Sequence, residues 1–240
     1  ENLSPADEAI SRAFEGQNIA VTVIPVSSLA RPTQLVEIEL EAVDEDIIPR
    51  FPLEWFDSEW VPDGQCAGVR IGNAIVLSGG TSVASSVKAE AKQSLTSIIS
   101  LIEQGGGSAS DLVSLRIFVT DIGDAAPALD ALSQKLGNGT PVITVLAIPP
   151  LHNSDARMLI EGEAVIGAGE SATISPHPHL TGFAATLSVE EEIYLSNIEY
   201  LNDKGETEVP NDWAGQRTGC TITLEKFTQI ICLVNCRSRF

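Results

Sequence analysis

Basic residues are scarce in this chain: 14 lysines and arginines stand against 33 aspartates and glutamates, a formal charge of −19. Such a surface repels phosphate backbones, and no basic stripe offsets it, so nucleic acid is not an expected partner. Long hydrophobic runs are missing too. No stretch approaches the roughly 18 apolar residues of a spanning helix, and no membrane partner is expected. The opening residues, ENLSPADEAI, lack the basic and apolar regions of a secretory leader. Cysteine is sparse: Cys66, Cys220, Cys232 and Cys236 show no paired metal-ligand spacing. That usage fits a reducing, cytoplasmic location, and no cofactor is implied. Aromatics are few, and three of them, Trp55, Phe56 and Trp60, fall in one Pro- and Asp-rich stretch. They read as anchors of a linker against its neighbours rather than as a stacking platform.

What the chain does contain is a repeat. Residues 19–43, IAVTVIPVSSLARPTQLVEIELEAV, lie over 141–165, PVITVLAIPPLHNSDARMLIEGEAV, without a gap at an offset of 141 − 19 = 122. Thr22/Thr144, Val23/Val145, Leu29/Leu151 and Ile38/Ile160 coincide, as do Glu39, Glu41, Ala42 and Val43 with Glu161, Glu163, Ala164 and Val165. Each copy has a β-branched run, a Pro-containing turn and a second strand-like run, a pattern that predicts two strands joined by an irregular loop. A repeat of about 120 residues has the size of a domain rather than of a solenoid unit.

Between the copies the elements follow in order. Gly72-Asn73 predicts a hairpin turn between strands 68–71 and 74–78. Residues 87–104 place Ala91, Leu95, Ile98, Ile99 and Ile102 on one helical face, and Gly105–Gly107 end the helix. Leu115, Ile117 and Val119 alternate along a strand, and 125–136 form a second helix stopped by Gly137. With the 141–165 strand pair the order is β-β-α-β-α-β-β, an α+β design of one sheet with two helices on one face. The predicted organisation is therefore the back half of a domain (1–45), a linker (46–67), a complete domain (68–166), a second linker (167–182) and a front half (183–240). The two halves are expected to complement one another, within a chain or between chains. A short helix is predicted over 5–16, and a further helix or buried strand over 224–234. His177 and His179, two apart in the second linker, lack a third metal ligand nearby.

With these pieces placed, the central unit resembles the RidA/YjgF (Rid) family of small imine and enamine deaminases. The matching features are IVLSGG at 75–80, the helix SLTSIISLIEQGGG, Ser110-Asp111-Leu112-Val113 leading into LRIFVTDI, and the strand pair opened by Pro141. The resemblance implies a chorismate-mutase-like fold, a small-molecule ligand, and a trimer or pseudo-trimer of such units with sites in the clefts between them. It also implies that Ser78, Gly79, Ile143 and Thr144 line such a cleft. Deaminating members carry Pro-x-Arg-Ser/Thr at the penultimate strand, the arginine gripping the substrate carboxylate with a planar fork of donors. Here the motif is Pro141-Val142-Ile143-Thr144, and Val21 holds the same place in the first copy. The water-activating glutamate of the family falls on Leu159 in the central unit and on Glu37 in the first copy. Glu161 and Glu39 match a second acidic position.

Two functions compete. A divergent imine or enamine acid deaminase would use Glu37 to position water and Arg157 or Arg31 in place of the lost guanidinium. A non-catalytic binding or scaffold protein would keep the fold and clefts but take an uncharged ligand or none. An apolar cleft favours the second, an arginine directed into it the first. Ile143→Arg is expected to raise activity if the cleft is otherwise intact. RNA cleavage is disfavoured by the charge.

Overall fold

The computed structural model describes residues 5–27, 29, 33–34, 36–39, 49–54, 64–137, 140–151 and 155–196. The expected 224–234 element, Arg31, Trp55, Phe56, Trp60, Cys220, Cys232 and Cys236 lie outside them.

The strands are β1 (Ile19–Ala20), β2 (Arg50–Leu53), β3 (Gln65–Cys66), β4 (Gly68–Ile71), β5 (Ala74–Leu77), β6 (Gly80–Thr81), β7 (Leu112–Val119), β8 (Val142–Ala147), β9 (Met158–Val165), β10 (Thr173–Pro176), β11 (Ala184–Val189) and β12 (Glu192–Leu195). The helices are α1 (Pro5–Ala13), α2 (Val87–Gln104), α3 (Ala125–Leu136) and the short α4 (Ala168–Ser171). One mixed sheet runs β10-β11-β8-β7-β9-β5-β4-β2, with β12 beside β11 and β6 beside β9. Its β7–β8 and β8–β11 pairs are parallel and the rest antiparallel. The fold is α+β and chorismate-mutase-like, with a mixed sheet backed by two long helices.

Local sequence explains the long elements. Ser86 caps α2 by accepting from the Ala89 N–H, and Gly105 closes it. Ala91, Leu95, Ile98 and Ile102 then recur at helical spacing and are all buried. They meet Ala128, Ala131 and Leu132 of α3 and the helix-facing residues of the sheet, Leu115, Ile117, Met158 and Ile160, in one core. Strand alternation sends Phe118, Leu159 and Val165 to the opposite face, where two smaller apolar clusters form. Asp111 fixes the entry to β7. One carboxylate oxygen accepts from the Ser108 N–H and hydroxyl at 2.8 and 3.0 Å. The other accepts from the Gly167 and Gly169 N–H groups at 2.9 and 3.3 Å, tying the exit of β9 to the start of β7.

Both stretches read as linkers contain strands. β2 pairs antiparallel with β4, and β10 with β11. Each carries a proline, Pro52 or Pro176, and each lies at an end of the sheet, where a missing N–H is tolerated. Edge strands of this kind have little hydrophobic alternation to read. The first copy of the repeat departs in the other direction: among its described residues only Ile19–Ala20 forms a ladder, and Val36 and Ile38 of its expected second strand are 56% and 72% exposed. Among the described residues β1 joins β3 and β8 joins β11, and no ladder links β1 to β11 or β12.

Candidate functional site

The segment after β1 lies against the end of β5. The Val21 N–H donates to Ser78 Oγ at 3.0 Å, and the Ser78 hydroxyl donates to the Cys66 carbonyl at 2.6 Å. The Gly79 N–H donates to Thr22 Oγ1 at 2.8 Å. Ser78 and Gly79 are thus brought together with the first copy of the repeat rather than with Ile143 and Thr144. The space between them is filled: a Cβ on Gly79 would stand 2.6 Å from Thr22 Cγ2 and 2.7 Å from Leu159 Cδ2. Around Leu159 gather Phe118 and Ile148, with Ile24, Leu146 and Leu151 packed against them. The lining is apolar.

Ile143 and Thr144 belong to a second junction, on the other side of β8. The Ile143 N–H donates to Ser196 Oγ at 2.9 Å, while its side chain, 2% exposed, is part of the helix-facing core. Thr144 is half-buried and stands opposite Arg116 in the β7–β8 register.

Arg157 goes elsewhere. Its Nε donates to Glu90 Oε1 and its backbone N–H to Glu90 Oε2, both at 3.0 Å. Its Nη2 donates to the Ala84 carbonyl at 2.9 Å. Glu90 is fully buried on α2, so this pair anchors the helix to the sheet. Glu37 is exposed and accepts from Gln34 Nε2 at 3.5 Å. No hydrogen bond or ion pair joins Glu37 to Ser78, Gly79 or Ile143 among the described residues.

A group that the sequence did not bring together, although Glu161 stood out in it, sits mid-sheet. Arg116 Nε is 2.7 Å from Glu161 Oε1, and its Nη2 is 3.1 Å from Glu163 Oε1. The period-2 spacing of 161 and 163, with an arginine on the neighbouring strand, was the available signal. Among the described residues every arginine already donates to protein oxygens: Arg12 to Glu8, Arg50 to Asn18, Arg70 to Gly72 and Gly105, Arg116 and Arg157 as above. The Cys66 thiol donates to the Asn18 and Gly68 carbonyls, and burial pushes its pKa up, so it stays protonated rather than becoming a nucleophile. His177 Nδ1 accepts from the His179 and Leu180 N–H groups, a turn-forming role. Among the described residues no three His, Cys, Asp or Glu side chains are grouped to hold a metal, and no helix is long and apolar enough to cross a membrane.

No protein-family model matches the chain. A RutC family protein of Pyrococcus abyssi is 25% identical to it over 105 residues, 40% of this chain and 80% of the relative. Among solved structures, a YjgF/YER057c/UK114 family member from Mycobacterium tuberculosis is 28% identical, covering 49% of this chain and 99% of its own, with a TM-score of 0.45. A Rid family protein from Yersinia pestis is 17% identical over the same shares, also with a TM-score of 0.45. Over the 105 matched residues the chain is thus similar to a RutC family protein, and the elements between Gly68 and Val165 carry the motifs that resemble the Rid family.

Proposed function

We propose that this chain uses the Rid fold as a binding or scaffold module and does not hydrolyse carboxylate-bearing imines. The observation that carries the reading is the state of the two positions where a carboxylate-gripping arginine is expected. Val21 and Ile143 stand there, and each gives its backbone N–H to a serine of the adjoining segment. A carboxylate entering either junction would lose hydration and find no guanidinium to replace it. The described arginines are committed to other partners, and Thr22 and Leu159 fill the space beside Gly79.

Losing a bidentate arginine in a desolvated site costs about 2–5 kcal/mol, roughly 30- to 5,000-fold in transition-state stabilisation. The test is hydrolysis of 2-iminopropanoate generated in situ, measured beside an arginine-bearing relative. Turnover near the uncatalysed rate is expected. Turnover equal to that of the relative would return the deaminase reading to first place.

A further inference from the structure

The two junctions share one bond pattern. In the first, Ala20 lies beside Cys66 in parallel register, the Val21 N–H donates to Ser78 Oγ, and Ser78 donates to the Cys66 carbonyl. In the second, Val142 lies beside Ala184 in parallel register, the Ile143 N–H donates to Ser196 Oγ, and Ser196 donates to the Ala184 carbonyl. The serine N–H groups match as well, bonding the Ala67 and Ala185 carbonyls, each at 2.9 Å.

The spacing is consistent on each side. On the donating side, 142 − 20 and 143 − 21 both give 122. On the receiving side, 184 − 66 and 196 − 78 both give 118. Two further positions obey the same shifts. Gly64 and Gly182, 118 apart, have φ of 81° and 83°, a left-handed conformation that favours glycine. A Cβ on Gly64 would lie 2.4 Å from the Phe14 carbonyl oxygen, and one on Gly182 2.5 Å from Ser133 Oγ. Those contacts come from matching helical segments, though not from matching residues, since Phe14 lies over Leu136 and Ser133 over Ser11: PADEAISRA of α1 lies over PALDALSQK of α3 at 127 − 5 = 122, sharing Pro, Ala, Ala and Ser. The four-residue difference falls in the connectors, 64 − 43 = 21 against 182 − 165 = 17.

We infer that the two junctions are one interface used twice, and that the chain is a head-to-tail array of like units latched by Ser78 and Ser196. The partner that fits this edge is another unit of the same kind. In each joint the helix and strand end of one unit lie on the opening strand of the next. The serine hydroxyl bonds both sides at once. Such a joint is heterologous, with different surfaces meeting, so the order of units is fixed by the chain. It also accounts for the freedom at positions 21 and 143: the latch uses their backbone N–H, not their side chains.

The test is amide hydrogen exchange in the full chain, read for segments 18–24 and 140–147. Ser78→Ala removes the acceptor for Val21 and is expected to speed exchange in 18–24 by about fivefold or more, leaving 140–147 unchanged. Ser196→Ala is expected to do the reverse. In the unmodified chain, the Val21 and Ile143 amides should both be protected, a measurement that stands without either variant. Equal acceleration of both segments by one variant, acceleration of neither, or an unprotected Val21 or Ile143 amide in the unmodified chain would overturn the inference.

Discussion

Ile143 has its N–H on the Ser196 hydroxyl and its side chain, 2% exposed, among the helix-facing residues of the sheet. Ile143→Arg therefore does not simply restore a lost fork of donors. It would push a guanidinium into an apolar core, where an uncompensated charge costs about 3–5 kcal/mol. The expected outcome is a lower melting temperature and no gain in imine hydrolysis. A variant that melts with the unmodified chain and gains turnover would mean that the side chain at 143 reaches a cleft. Arg157 illustrates the same principle in its satisfied form, since its pairing with Glu90 makes a buried carboxylate tolerable.

At the scale of elements, Asp111 joins the start of β7 to the turn after β9 through four donors, two on each carboxylate oxygen. An amide cannot do this, because its NH2 group would face N–H donors on one side. Asp111→Asn is expected to cost about 2–3 kcal/mol, since one pair of donors is left without an acceptor. Denaturant unfolding would check it; a midpoint within error of the parent would show the two turns to be held by packing alone. The paired connectors belong at this scale too. β2 and β10 are held by ladders to β4 and β11 rather than by their own sequence, which is why composition marked them as linkers.

For the whole molecule the formal charge of −19 sets a repulsion that compact folding must overcome. Among the described residues the arginines are each tied to protein oxygens. Salt shortens the reach of the remaining repulsion to about 8 Å at physiological strength. The melting temperature is therefore expected to rise by several degrees between low salt and about 0.15 M sodium chloride. A melting temperature that falls over that range would place the larger share of the electrostatics in attractive pairs.

Much of the architecture was legible from local chemistry. The spans of α2, α3 and β4 follow from caps, turn residues and apolar period, because those signals act within a few residues of one another. The repeat at 122 was likewise on the page, and with it the expectation of like units. What the sequence could not decide is which way a given side chain faces and which partner it finds. Ser78 was expected to line a cleft, but only the fold brings it onto the Val21 N–H, 57 residues away. Arg157 was a substitute cation until packing set it on Glu90, 67 residues away. Burial and hydrogen-bond partnership are non-local: they depend on which strands become neighbours, and two edge strands and a serine hydroxyl carry too little pattern of their own to announce it.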